Sequence, residues 1–227
     1  MTPRTTERYT IPGPAGALEI VRNAPPNAPR GIALVAHPNP VQGGTLDNKV
    51  AQTLAKTFYA LGYAVTRFNF RGVGRSEGSF DDGNGETDDA LAALEHARSR
   101  EQTAGSAQAG SSPTAHASPQ LPVVLAGFSF GTYVQSRLAQ TVAAERVVFV
   151  GPAVQRIGAL ALPQDTIVIH GEEDDIVHLA DVLGWARPRA LPIVVFPGCG
   201  HFFHGRLAEL QRAITGMWHG HGVAPGA

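Results

Sequence analysis

LPVVLAGFSFGTYVQSRLAQTV, residues Leu121–Val142, changes its periodicity half-way along. It opens on an unbroken apolar run, Val123, Val124, Leu125 and Ala126, of the kind that suits a strand buried on both faces. It continues with apolar residues at Phe130, Val134, Leu138 and Val142, a spacing that suits one face of a helix. The change falls on Gly127-Phe128-Ser129-Phe130-Gly131. Glycines on either side, lacking Cβ, let the chain turn sharply and let strand and helix pass close together. The serine between them is then held with its hydroxyl exposed above the sheet, as in a nucleophile elbow. Among 26 glycines the three-position pattern alone is equally a Gly-rich turn with a chance serine. A nucleophilic serine further requires a histidine base, a carboxylate to orient it, and donors for an oxyanion.

Upstream, Arg8–Val21 reads as a hairpin and NAPPNAPR as a Pro-rich connector. Ile32–Ala36 is a continuous apolar strand leading into His37-Pro38-Asn39-Pro40. A helix carrying Leu46, Val50, Leu54, Phe58 and Leu61 is stopped by Gly62, and Tyr63–Phe70 forms the next strand. Thr87–Arg98 reads as a helix with Glu86 and Asp88 capping it. The small, polar, low-complexity stretch of residues 101–120 reads as a mobile surface loop, and residues 219–227 as a frayed tail. Downstream come strands at Arg146–Val150, Thr166–His170 and Pro192–Phe196, with helices at Leu179–Ala186 and Leu207–Met217. The alternation implies one α/β domain over residues 1–227, a mostly parallel sheet of about 8 strands with helices on both faces. The Pro-, Gly- and Ala-rich connection from Val150 to Thr166 leaves no room for a helical lid.

Sites in such sheets lie at the C-terminal ends of the strands. The strand ending at His170 runs into Glu172-Glu173-Asp174-Asp175, which suits either a solvated capping turn or the orienting acid. The strand ending at Phe196 runs into Gly200-His201-Phe202-Phe203-His204. Serine, acid and histidine thus each follow a separate strand, in the order expected of an elbow nucleophile and its partners. His201 takes the proton of Ser129, and an acid behind it fixes the tautomer. One oxyanion donor is the backbone N–H of Phe130. The other is assigned to the N–H of Asn39, because the prolines flanking it have none and stiffen the chain.

His37-Pro38-Asn39-Pro40, Asn69-Phe70-Arg71-Gly72-Val73-Gly74-Arg75-Ser76, the Ser129 elbow, His170-Gly171-x-x-Asp174 and Gly200-His201-Phe202-Phe203 together resemble the α/β-hydrolase superfamily. The chain is most similar to its small, lidless, dienelactone-hydrolase-like bacterial serine hydrolases. The resemblance runs from Gly31 to Trp218 and implies Asp174 as the acid, with Asp175 as its competitor. It implies hydrolysis of a small ester, thioester or lactone, with no cofactor and no metal. A peptidase or amidase sharing the machinery, and a non-catalytic binding protein on the same fold, remain open. Dienelactone hydrolases proper carry Cys where Ser129 stands. Members of this group often have His in place of Asn39 and Pro in place of His178.

At 43% hydrophobic, 16% charged and net charge −1, the 227 residues fit an ordinary globular protein, with no basic excess for nucleic acid. A single cysteine excludes an internal disulfide, no run approaches the ~20 apolar residues of a membrane span, and no signal-peptide core opens the chain. These features imply a cytoplasmic protein, a monomer or homodimer, without a membrane partner. Cys199 reads as a small buried residue, and His204, lacking a third metal ligand, as a residue either supporting His201 from behind or lying on the surface. Gly72-Val73-Gly74 lacks a P-loop lysine, so nucleotide binding is rejected. Arg71 and Arg75 either face an anionic substrate or tie down their own loop.

Overall fold

A computed structural model describes residues 5–108 and 120–219. Strands β1 (Thr5–Gly13) and β2 (Gly16–Ala24) pair antiparallel with Gly13 opposite Gly16, which makes Pro14-Ala15 the turn. The apolar runs become β3 (Ile32–Ala36), β4 (Ala64–Phe68), β5 (Val123–Phe128), β6 (Arg146–Val150) and β7 (Ile167–Gly171), all buried end to end. The less buried β8 (Ile193–Phe196) lies at one edge. The eight strands form one sheet in the order β1-β2-β4-β3-β5-β6-β7-β8. From β4 to β8 every pairing is parallel, and β2 runs antiparallel to both of its neighbours.

Helices α1 (Lys49–Ala60), α2 (Asn84–Gln108), α3 (Phe130–Leu138), α4 (Val154–Ile157), α5 (Leu179–Ala186) and α6 (Leu207–His219) cover the sheet. Alternate side chains of β5 enter opposite cores, as a strand buried on both faces requires. Val123 and Leu125 join Leu94, Ala97, Val134 and Leu138 beneath α2 and α3. Val124, Ala126 and Phe128 join Leu54, Phe58, Leu210 and Ile214 beneath α1 and α6. A β5 displaced by one residue would exchange these sets and move Ser129 off the sheet's edge. The connection between β6 and β7 holds only the single turn of α4, so no cap rises there.

The second helix departs from expectation. It begins at Asn84 and continues to Gln108, where the sequence suggested Thr87–Arg98 followed by a loop. At its start the Glu86 carboxylate accepts the N–H groups of Asp81 and Gly83, which fastens the entry turn. Further along, Glu101 is buried against Arg22 of β2, whose Nε and Nη2 donate to it at 2.9 and 2.6 Å. The Ala-, Gln- and Thr-bearing turns are competent to be helical once a tertiary contact holds them. The rest of the expected loop, 109–119, and the tail residues 220–227 lie outside the described residues.

Candidate active site

The C-terminal ends of β5, β7 and β8 bring Ser129, Asp174 and His201 together. Ser129 caps α3 at φ 54°, ψ −122°, a conformation that few non-glycine residues adopt. The sharp bend is therefore carried by the serine, and the flanking glycines serve close approach. A Cβ on Gly127 would lie 2.5 Å from the Gly131 carbonyl oxygen, and one on Gly131 would lie 2.5 Å from that of Ala36. The elbow is tied to the next strand, since the Ser129 N–H donates to Val150 O at 3.0 Å. Thr132 braces it from behind: its hydroxyl donates to Ser129 O at 2.6 Å and accepts the Ala153 N–H at 3.0 Å.

His201 is 3% exposed. Its Nδ1 lies 2.6 Å from Asp174 Oδ2 and its Nε2 lies 3.0 Å from Ser129 Oγ. With Asp174 ionised, Nδ1 carries the proton and Nε2 is left to accept the serine hydroxyl's hydrogen. The ring sits between Phe128, 4.9 Å away, and Phe202, 5.1 Å away in edge contact. Gly151 makes the remaining room, for a Cβ there would stand 3.1 Å from His201 Cε1. Phe203, buried at φ 53°, turns the chain so that Phe202 beside it is 45% exposed.

The second carboxyl oxygen of Asp174 accepts the N–H groups of Ile176 and Val177 at 3.0 and 2.8 Å. Burial alone would raise the pKa of this carboxyl. The His201 hydrogen bond, the Val177 N–H and the neighbouring imidazoles outweigh burial and lower it. Asp175, the competitor in the sequence, is exposed, and it is Asp174 that meets His201.

Phe130 and Asn39 donate their backbone N–H groups to no other described residue. The Asn39 loop is held rigidly. The Asn39 carbonyl accepts from Gln42 and Gly44, and its side chain accepts the Val41 N–H at 3.0 Å. His37, to which the sequence assigned no role, anchors the loop's root. Its Nδ1–H donates to Pro38 O at 2.7 Å while its Nε2 accepts the Phe70 N–H at 3.1 Å. Burial lowers the pKa of His37 to about 3 against the raising effect of the Pro38 carbonyl, so the ring stays neutral and can play both parts. His37, Thr132 and Gly151 were not legible as site residues, because each acts through a contact between loops distant in sequence.

Arg71 and Arg75 belong to their own loop. Arg71 forks onto Asp89 at 3.1 and 2.9 Å, and Arg75 joins Arg8 and Asn69 on Glu19. Cys199 is buried, and burial raises its thiol pKa, consistent with an inert residue. Among the described residues no group of His, Cys, Asp and Glu is arranged to hold a metal ion, and no helix is long and apolar enough to cross a membrane. A cavity of about 230 Å3 lined by Arg22, Pro25, Ile32, Arg98, Glu101 and Leu121 opens where β3 begins, at the opposite end of the sheet from Ser129.

No protein-family model matches the chain. It is 33% identical to an alpha-beta serine hydrolase homologue from Coxiella burnetii, with a TM-score of 0.79 over 95% of this chain and 98% of that one. A lidless α/β serine hydrolase from Xanthomonas campestris is 31% identical, with a TM-score of 0.83 over 100% and 99% of the two chains. An uncharacterised protein of Rickettsia prowazekii is 30% identical over 89% of this chain and 84% of its own length.

Proposed function

The chain belongs to the α/β-hydrolase superfamily, as one of its members without a lid, and from that premise we propose that it cleaves a small ester through an acyl-enzyme on Ser129. The observation that carries this reading is the unbroken run of contacts from Ser129 Oγ through His201 to Asp174, at 3.0 and 2.6 Å. A protein kept only as a scaffold has no need of that alignment or of the backbone strain that holds the serine in it.

In the proposed reaction His201 Nε2 removes the hydroxyl proton as Ser129 Oγ attacks the acyl carbon. Asp174 keeps the proton-bearing Nδ1 turned away from the substrate and stabilises the imidazolium as it forms. The negative charge on the tetrahedral oxygen is met by the N–H groups of Phe130 and Asn39, a donor of this kind being worth ~2.7–4 kcal/mol. The imidazolium then gives its proton to the leaving alcohol. Water enters, loses a proton to His201 and releases the acid by the same route in reverse. Asn39 is favoured as the second donor because its loop is fixed by His37 and by its own turn, so little reorganisation accompanies the reaction.

The absence of a lid and the exposed side chains of Val41, Ile176 and Phe202 on the loops carrying Asn39, Asp174 and His201 favour a short acyl or aryl ester. A panel of p-nitrophenyl esters, thioesters, lactones and anilides of increasing acyl length tests this. Turnover concentrated on short oxygen esters supports the reading. A rate that climbs steadily beyond ~8 acyl carbons, or turnover of anilides alone, contradicts it.

A further inference from the structure

His170 is fully buried at the end of β7, one residue before the loop that carries Asp174. Its Nε2 lies 2.8 Å from the Val177 carbonyl oxygen, so Nε2 must carry the ring proton. The same Nε2 stands 3.5 Å from Asp174 Oδ2, the oxygen that faces His201. On the other side of the carboxylate, the Val177 N–H donates to Asp174 Oδ1 at 2.8 Å. Val177 is thereby held at both ends, its carbonyl by His170 and its N–H by Asp174.

The other ring nitrogen, Nδ1, is buried with no hydrogen-bond partner among the described residues. An acceptor left bare in the interior is a cost. A phenylalanine of similar shape would remove that cost, so the histidine is explained by what Nε2 does. Burial lowers the His170 pKa, and the nearby His201 adds to the effect against Asp174 and the Val177 carbonyl, which oppose it. The lowered pKa favours the neutral ring, in which Nε2–H is the donor.

We propose that His170 is a positioning residue for the acid. By donating its Nε2–H to Val177 O, with Asp174 Oδ2 in electrostatic reach of the same nitrogen at 3.5 Å, it locks the 174–177 turn onto β7 and holds the carboxylate square to His201. The proposal rests on the reading of Ser129, Asp174 and His201 as the reacting set.

The geometry distinguishes two amide substitutions. His170→Gln places an amide where Nε2 stands and restores the donor. His170→Asn places one where the bare Nδ1 stands and does not. His170→Phe keeps ring volume and removes both. With a short p-nitrophenyl ester, H170Q is expected within about threefold of wild type in kcat, whereas H170N and H170F lose about tenfold or more at unchanged KM. Thermal midpoints are measured alongside, so that a loss of kcat can be compared between variants of equal stability. Equal losses in H170Q and H170N, losses that simply follow the thermal midpoint, or full activity in H170F would each overturn the proposal. Asp174→Asn serves as the control. If it leaves kcat untouched, the catalytic reading has failed and the proposal falls with it; if it lowers kcat while H170F stays fully active, the role of His170 alone is overturned.

Discussion

Ser129 occupies a backbone conformation that costs of order 1–3 kcal/mol for a residue with a Cβ. That cost separates two inactivating substitutions. Ser129→Ala removes the hydroxyl and keeps the strain. Ser129→Gly removes both and is expected to be more stable than the alanine variant by about 1 kcal/mol, roughly 2–4 °C in Tm, although glycine ordinarily stabilises a chain less than alanine does. Equal melting temperatures for the two would mean that the elbow is relaxed. Gly151 offers a second residue-scale test. Its φ of 52°, and the 3.1 Å that would separate an added Cβ from His201, predict that Gly151→Ala displaces the imidazole, lowering kcat/KM by about tenfold to 10²-fold. For the acid, Asp174→Asn is expected to cost up to ~10⁴ in kcat, as the loss of a tautomer-fixing carboxylate does elsewhere. The same change at exposed Asp175 is expected to cost little, and comparable losses at both positions would contradict the assignment drawn from the His201 contact.

The elements were legible in the sequence wherever one periodicity governed a whole segment. Val123–Ala126 could be read as a doubly buried strand because nothing polar interrupts it, and α3 because its apolar residues recur every fourth position. The end of α2 was not legible, since residues 101–108 have no apolar stripe and their helical state depends on Glu101 meeting Arg22, 79 positions away. Removing one partner of a buried ion pair typically costs ~3–5 kcal/mol. Glu101→Ala should therefore destabilise the fold by an amount of that order while leaving kcat of the folded fraction intact, a result read by chemical denaturation and by active-site titration. The loop after β4 rests on Glu19 in the same way. Burial would raise the Glu19 pKa, yet hydrogen bonds from Arg8, Arg75 and Asn69 bring it down from 4.5 to about 2. A carboxylate with a folded pKa below its unfolded one contributes stability above pH 4.5 that is lost as the pH falls toward 2. The contribution is at most about 3 kcal/mol, since Arg8 and Arg75 are themselves half-exposed and screened. Glu19→Gln should flatten that part of the stability profile, and an unchanged profile would count against the network.

At the scale of the molecule, stability and chemistry share the same edge of the sheet. His37 must remain neutral to bridge Pro38 and Phe70, and its pKa of about 3 lies below the unfolded value of 6.5. Between those values the unfolded chain binds the proton that the folded chain refuses, so stability declines as pH falls from 6.5 toward 3. Urea unfolding across this window should show that decline, with activity lost together with the fold; stability that rises on acidification would contradict the buried neutral ring. The strand–helix alternation anticipated the sheet, and the order of serine, acid and histidine pointed to Ser129 and His201 at its edge, while the choice of Asp174 over Asp175 came from the family resemblance. The supports supplied by His37, Thr132, Gly151 and His170 were not visible, because a sequence shows which residues follow one another and not which loops touch. Whether Ser129 is a nucleophile made reactive by His201 is read most directly by reacting the protein with a fluorophosphonate and locating the adduct by mass spectrometry, with Ser129→Ala and His201→Ala alongside. A single adduct on Ser129 is expected, absent from the first variant and formed far more slowly in the second. A folded wild-type protein that stays unlabelled, or labels as fast without His201, would contradict that chemistry.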